Sequence, residues 1–299
     1  DPVVLGGAAA DSVAGESHTC ALLEGPAGSV VCWGAGAATG YKNKGNVGQS
    51  ETPASIGPVP VGGEVLQIAA GAGHTCALFK GPFAGKVRCW GTNTFGQLGL
   101  GHTNSIGDDE DPKDAPFLAL DAPGDPVASI FGGKIHSCAV LSSGKVFCWG
   151  YNVFGQLGNW AGGNNVGDNE APNPAGQVQV LEIGDQIAGM AMGHLHTCAR
   201  LATGNVRCWG LGEYGETGSG NNSPLGGTPG QKAPLVDVGG AALDLVGGVQ
   251  HVCARLNGGR VRCWGNNQFG QLGIGNTQNI GDNPGEMPPQ DVFLYTKPK

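Results

Sequence analysis

Charge is scarce in this chain, and so is the material of a helix. Of its 299 residues only 13% are Asp, Glu, Lys or Arg and 6% are aromatic, against 57 glycines. No alanine- or leucine-rich stretch with a 3.6-residue period is long enough to pack as a helix, which leaves short strands and many turns. The net charge is -8, and no cluster of lysine or arginine occurs anywhere. That removes the attraction behind most nonspecific nucleic-acid binding, so nucleic acid and anionic lipid are not expected as ligands. No apolar run approaches the roughly 20 residues that span a bilayer. Asp1-Pro2-Val3 opens with neither a basic nor an apolar leader region, and a mature, soluble product without membrane insertion is expected. Catalytic signatures are missing too. There is no G-x-S-x-G elbow, H-E-x-x-H helix or P-loop, and Gly34 to Gly40 match a dinucleotide loop poorly. The expectation is a non-enzymatic protein without cofactors.

What the chain does contain is one line written five times: G-x-x-H-[TSV]-C-[AL]-x-L, with Phe79 for the last leucine in the second copy, a short turn, then V-x-C-W-G. The first copy runs from Gly15 to Gly34, and the others centre on His74, His136, His196 and His251. All ten cysteines lie inside it, and the first cysteines of successive copies are 56, 62, 60 and 55 residues apart. Such spacing marks a repeat array rather than two unrelated domains.

In the third copy, folding about Ser142-Ser143-Gly144 sets Leu141 opposite Lys145 and Cys138 opposite Cys148. Directly opposed strand residues lie within disulfide reach, with both sulfurs on one face. The same count pairs Cys198 with Cys208 and Cys253 with Cys263. In the first two copies, Gly25-Pro26-Ala27-Gly28 and Gly81-Pro82-Phe83-Ala84-Gly85 lengthen the turn, which leaves Cys20 with Cys32 and Cys76 with Cys89. Zinc knuckles need C-x2-4-C, and these gaps are too long for that. Disulfides persist in an oxidising compartment, so an extracellular or cell-surface location is expected.

Within one unit the alternation suggests four extended segments. In the second copy they are Val65-Leu66-Gln67-Ile68-Ala69, His74 to Leu78, Lys86 to Trp90, and the stretch around Gln97-Leu98-Gly99. One such sheet cannot bury both faces, and stacking sheets around an axis does so. The run G-x-x-H-T-C-A-L followed by G-x-V-x-C-W-G-x-N-x-x-G-Q-L-G resembles the regulator of chromosome condensation repeat family, here in a bacterial-type, secreted, disulfide-bearing form. The likeness is strongest at Cys89 to Gly99, Cys148 to Gly158 and Cys263 to Gly273. The fourth copy departs at Gly215-Glu216-Thr217-Gly218, and the first loses G-Q-L-G after Trp33. The resemblance implies an all-β fold, a β-propeller with one unit per blade, although the best-known members have seven blades. Pro2-Val3-Val4-Leu5-Gly6-Gly7 and Pro289 to Leu294 both match the internal Pro58-Val59-Pro60-Val61-Gly62-Gly63. An integer number of units is therefore expected, as a single domain over 1–299 forming a closed ring of five four-stranded blades. The approximate units are 1–57, 58–122, 123–177, 178–235 and 236–299, each with one disulfide.

Strand parity places the G-x-x-H lead-in loop and the W-G-x-N exit loop at one end of each blade and the hairpin turn at the other. Positions constant among the copies read as scaffold, while variable loop positions are free to make a specific surface. Lys134, Ile135, Tyr151, Val153, His194, Leu195, Leu211 and Val249 fall there, and several are apolar, as at protein contacts. The alternative is that these side chains tuck inward and pack the ring. At the opposite end, Asp108-Asp109-Glu110, Asp168-Asn169-Glu170 and Asp282-Asn283 carry oxygens of the kind calcium uses. They lack the alternate-residue order of calcium loops and also suit turns after glycine. The five repeat histidines are expected to lock neighbouring blades rather than share a metal, and the five repeat tryptophans to anchor packing. Trp160 stands outside the pattern and is expected at the surface.

The reading that follows is a secreted, monomeric propeller that binds a protein through its lead-in and exit loops. A second reading is guanine-nucleotide exchange on a small GTPase, which the resemblance implies for the founder of the family, although the acidic charge opposes it. Two others are inhibition of an extracellular enzyme, for which the loops are aromatic-poor, and a structural or adhesive surface role.

Overall fold

The computed structural model describes residues 3–25, 28–42, 45–120 and 124–292. These residues form sixteen strands in five antiparallel sheets, one per repeat. Sheet 1 holds β1 (Ala9–Ala14), β2 (His18–Leu23) and β3 (Val30–Gly34), and sheet 2 holds β4 (Val65–Ala70), β5 (His74–Phe79) and β6 (Val87–Gly91). Sheet 3 is β7 (Val127–Gly132), β8 (His136–Leu141) and β9 (Val146–Gly150). Sheet 4 is β10 (Ile187–Met192), β11 (His196–Leu201), β12 (Val206–Gly210) and β13 (Leu235–Val236), and sheet 5 is β14 (Ala242–Gly247), β15 (His251–Leu256) and β16 (Val261–Gly265). The chain forms two compact units, Asp1–Asn152 with Asn164–Val178, and Val153–Gly163 with Gln179–Lys299. No helix among the described residues is long and apolar enough to cross a membrane.

The expected hairpins are present with their register. Leu141 N–H donates to the Lys145 carbonyl at 2.8 Å, and counting inward from that bonded pair makes Cys138 and Cys148 a non-hydrogen-bonded pair, the kind whose side chains approach most closely. All five expected disulfides form, with Cα atoms 4.0 to 4.1 Å apart. Every residue of β5 and β8 is buried, so these middle strands are covered on both faces, as stacking requires. In the first hairpin, Pro26 and Ala27 of the widened turn lie outside the described residues.

The expected fourth segment sits elsewhere. Gln97-Leu98-Gly99 is not a strand but a turn, in which Gly96 and Gly99 take positive φ of 76° and 71° and the Gly99 N–H bonds back to the Gly96 carbonyl at 2.8 Å. Left-handed backbone is cheap only for glycine, which is why the element reads G-Q-L-G. The outer position of each sheet goes instead to the proline-rich stretch after the insert. In sheet 4 this is β13. In sheets 1, 2, 3 and 5 it shrinks to one or two bonds: Val59 N–H to Val30 O, Leu118 N–H to Val87 O, Val178 N–H to Val146 O with Cys148 N–H to Gly176 O, and Val292 N–H to Val261 O. Four of the five sheets are therefore three-stranded by ladder.

The repeat boundaries shift accordingly. Val59 joins the edge of sheet 1 while Val61 already binds Arg88 of sheet 2, so Pro58 to Gly63 bridges the two rather than opening the second repeat, and the boundary at 235/236 falls inside β13. The boundary at 122/123 and the matching residues Pro2, Phe293 and Leu294 lie outside the described residues. Arginine in the third strand binds these stretches in two ways: Arg88 Nη1 donates to Val61 O and Arg262 Nη1 to Val238 O, each in the stretch that edges the preceding sheet, whereas Arg207 Nη1 donates to Ala233 O just ahead of β13 in its own sheet. Arg207 and Arg262 also pair with Asp185 and Asp291, at 2.8 and 2.6 Å.

Each disulfide closes a loop of 10 to 13 residues, and chain entropy alone makes such a crosslink worth about 2 to 3 kcal/mol. Replacing both Cys138 and Cys148 with alanine should lower the chemical-denaturation midpoint by that equivalent. Nonreducing peptide mapping should find five links, each within one repeat.

Candidate interaction face

Lead-in and exit loops do lie together in every repeat. The residue after the repeat's W-G donates its N–H into the lead-in loop: Ala35 to Ser17 O, Thr92 to Gly73 O, Tyr151 to Ile135 O, Leu211 to Leu195 O and Asn266 to Gln250 O, at 2.7 to 3.0 Å. Consecutive lead-in loops are stitched as well. In the first unit Glu16 N–H reaches Ala72 O and Ala72 N–H reaches Lys134 O, and in the second His194 N–H reaches Val249 O.

The first unit gathers Lys134, Ile135 and Tyr151, all half-buried. The Lys134 ammonium stands 3.5 Å from the Glu16 carboxylate, and the Tyr151 ring meets Phe95 edge-on at 4.9 Å. The second unit carries Val153 and Val249, 52% and 58% exposed, with His194, Leu195 and Leu211 half-buried beside their loops. The inward-packing alternative thus describes part of most of these side chains, while the two valines stand free of it. Trp160 is half-buried, not exposed: its indole donates to Gln231 O at 2.7 Å, and the Lys232 ammonium sits 5.2 Å from its ring centre.

Beneath the loops is a junction that sequence reasoning located only in outline. The exit loop of one repeat offers a backbone carbonyl to the next sheet. Ala38 O accepts from Trp90 Nε1 at 3.0 Å, Gln97 O from Trp149 and Gln156 O from Trp209 at 2.9 Å, and Glu216 O from Trp264 at 3.0 Å. In sheets 2, 3 and 4 the hydroxyl after the repeat histidine gives its proton to the same carbonyl: Thr75 Oγ1 to Ala38 O, Ser137 Oγ to Gln97 O and Thr197 Oγ1 to Gln156 O. His18 Nε2 then meets Thr75 Oγ1 at 2.9 Å and His74 Nε2 meets Ser137 Oγ at 2.7 Å. Because each hydroxyl has spent its only proton, the histidine Nε2 must carry one. Burial holds His18 down at about 4 and His74 and His196 at about 3, so all three are neutral imidazoles at neutral pH. The glycine of G-x-x-H is required by this contact. A Cβ on Gly71 would come within 2.0 Å of the His74 ring and 2.5 Å of Gly133 O.

Two departures from the pattern stand out. Val252 occupies the hydroxyl position in sheet 5, and the buried His196 Nε2 that should meet it has no hydrogen-bond partner. Glu216 takes the place of Gln97 and Gln156. Its Oε2 accepts the Tyr214 N–H at 2.8 Å, as Gln97 Oε1 accepts from Phe95. Burial pushes the Glu216 carboxyl up to about 7.

The acidic insert turns are largely turned on themselves. Glu51 accepts the Gly48 N–H and Glu286 the Gly281 and Asn283 N–H groups, while Gln231 does the same for Gly226. Asp108, Asp109 and Glu110 bring one oxygen each within 4.8 Å of one another, and Glu110 accepts the Asp109 amide. A cavity of about 170 Å³ at the hairpin end of sheet 4 is lined by Asp185, Asn205 and Arg207, whose charges already face each other.

A sequence profile described as Regulator of chromosome condensation (RCC1) repeat matches residues 65–97, 127–156, 187–216 and 244–271, and a second profile of that description matches 84–140 and 143–200. Together they take in more than half of the chain. The chain belongs to the regulator of chromosome condensation repeat family. The ultraviolet-B receptor UVR8 of Arabidopsis thaliana is 30% identical over 89% of this chain and 55% of its own length. The probable E3 ubiquitin-protein ligase HERC4 of Rattus norvegicus is 33% identical over 72% of this chain and 19% of its own length. The chain thus spans about half of one relative and a fifth of the other. Among solved structures, Prp20p from Saccharomyces cerevisiae superposes with a TM-score of 0.73 at 19% identity, over 96% of this chain and 63% of that one. This last likeness concerns the fold alone. The profile matches begin at residue 65, so the first repeat, which lacks G-Q-L-G, lies outside them.

Two substitutions test the junction. Val252→Thr should give His196 Nε2 its missing partner and raise stability by about 1 kcal/mol, read from denaturation midpoints. Glu216→Gln restores the pattern of the other repeats. The folded-state value of about 7 lies above the ordinary carboxyl value of 4.5, so the proton's stabilising contribution is full below 4.5 and lost as pH rises through 7. The variant should therefore match the parent at pH 4.5 and exceed it by about 1 to 3 kcal/mol at pH 8.

Proposed function

We propose that this chain is a protein-binding module of an oxidising, extracellular or cell-surface compartment, and that its partner is held by the lead-in and exit loops. The observation that carries this reading is the division of labour within each repeat. In sheets 2, 3 and 4 the histidine, tryptophan and hydroxyl are buried at the junctions and each disulfide within its own sheet, whereas the loop tips differ from copy to copy and include the exposed Val153 and Val249. A constant frame under variable tips is how rigid scaffolds present binding residues. The five disulfides support the compartment. The strongly shifted groups His18, His74, His196 and Glu216 lie in the junctions rather than around a cleft, which supports binding over catalysis. The Prp20p structure is of a protein studied for its binding to Gsp1p and histones, in keeping with protein partners for this fold. The expected absence of nucleic-acid and membrane ligands rests on the acidic balance of the sequence.

Photo-crosslinking residues placed at 153 and 249 should capture one protein from the native, nonreducing extracellular milieu, while the same residue at the hairpin-turn positions 143 and 203 should not. Alanine at Tyr151, Leu195 or Leu211 should weaken that capture by about tenfold each. Capture from 143 or 203 alone would reverse the assignment of faces.

A further inference from the structure

One position of the third strand has been given a different neighbourhood in each sheet. The residue after the valine of V-x-C-W-G stands opposite the alanine that follows the first cysteine, as Arg88 to Ala77, Phe147 to Ala139, Arg207 to Ala199 and Arg262 to Ala254. Phe147 is apolar and sealed. The Arg88 guanidinium is covered by aromatic rings, 4.1 Å from the centre of Phe117 and 5.7 Å from that of Phe79. Arg262 reaches the segment that edges the preceding sheet. Arg207 turns to its own sheet instead, and beside it lies the cavity of about 170 Å³, lined by Asp185, Leu201, Thr203, Asn205, Arg207 and Leu235 with their neighbours. All of these residues belong to the second compact unit.

The polar walls of this cavity are set before any ligand arrives. Arg207 Nε donates to Asp185 Oδ2 at 2.8 Å and Arg207 Nη1 to the Ala233 carbonyl, while Asp185 Oδ2 also accepts the Glu182 N–H at 2.9 Å. The two side chains are 11% and 12% exposed, so little rotamer freedom remains to be lost on binding. Capacity is left over. Arg207 Nη2 and Asp185 Oδ1 make no hydrogen bond among the described residues. From the hairpin turn, Thr203 Oγ1 accepts only a long bond of 3.4 Å from the Asn205 N–H, and the Asn205 carboxamide has no partner among the described residues.

Charge and size narrow the occupant. Arg207 and Asp185 cancel as a pair, so the cavity favours neither an anion nor a cation. It offers a donor at Nη2, an acceptor at Oδ1, and a hydroxyl and a carboxamide that serve as either. The complement of such a set is a neutral molecule with several hydroxyls. The volume is below the range of about 300 to 1,000 Å³ that suits drug-sized ligands, which limits the occupant to one small ring. We propose that the cavity at the hairpin end of sheet 4 binds a single neutral sugar ring. Arg207 Nη2 and Asp185 Oδ1 hold two of its hydroxyls, Thr203 and Asn205 hold others, and its carbon face rests on Leu235. The site uses hairpin-end side chains and none of the lead-in or exit loops, so it stands or falls apart from the protein-binding reading.

Saturation-transfer difference NMR of the full, oxidised chain tests this, with glucose, galactose and mannose as probes and acetate and ethylammonium as charged controls. At least one hexose should bind with a dissociation constant on the order of 1 mM, and neither control should compete with it. A methyl glycoside run in parallel separates the terminal ring of a glycan from a free sugar, and binding of either supports the site. Thr203→Val and Asn205→Ala, both at exposed turn positions and checked for folding by near-ultraviolet circular dichroism, should each weaken binding by about threefold to tenfold. A parent that shows no transfer to any hexose or glycoside, even at tens of millimolar, overturns the proposal, because the cavity then holds water alone. So does tighter binding of acetate or ethylammonium than of every sugar, or unchanged affinity in both variants.

Discussion

One backbone carbonyl in each of four exit loops holds consecutive sheets in register. It accepts the tryptophan indole of the sheet that follows, at 2.9 to 3.0 Å, and where a hydroxyl is present it accepts that as well. A carbonyl has two lone pairs, so both donors are satisfied at one oxygen. Four tryptophans are sealed at 0% exposure around these bonds. A misplaced sheet would therefore strand an indole N–H and a hydroxyl away from water, at a cost of about 1 to 3 kcal/mol for each group. The glycines, the histidines and the G-Q-L-G turn all serve to bring that oxygen to its place.

Much of this was legible in the residues. The ten-residue spacing from Cys138 to Cys148 contains its own register, because strand alternation leaves few ways to fold it, and the pairing followed. Parity also placed the lead-in and exit loops at one end. The G-Q-L-G element misled for a physical reason: Gln97 and Leu98 look like a strand fragment, but the flanking glycines mark positive φ, and glycine periodicity outranks a two-residue apolar hint. The outer segment was hidden because it pairs through one or two bonds and is rich in proline, so it lacks the alternation that announces a strand. A signal that could have found it was the arginine of V-R-C-W-G, which recurs in three repeats and binds such a segment, that of its own sheet from Arg207 and that of the preceding sheet from Arg88 and Arg262.

The candidate face was legible by position and not by exposure. Ile135, Leu195 and Leu211 are apolar residues in variable loops, and nothing in a single sequence separates a side chain leaning on its neighbour from one standing free. That difference is set by the adjoining repeat. Tyr151 rests on Phe95, its ring meeting the neighbour edge-on, whereas Val153 is 52% exposed. His196 shows the same dependence in the interior. Its own repeat matches the pattern throughout this strand, and its Nε2 lacks a partner solely because Val252 stands in the next one.

The disulfides and the junctions divide the chain's connections by direction. Each crosslink closes within one sheet, and each accepting carbonyl is supplied by residues earlier in the chain than the tryptophan it receives. A polypeptide emerging amino end first would thus always have the berth finished before its occupant arrives. Oxidation of every hairpin could proceed as soon as that hairpin cleared the exit, without waiting for distant cysteines. Growth of the molecule during synthesis would then resemble laying courses of brick, each one set on a course already cured.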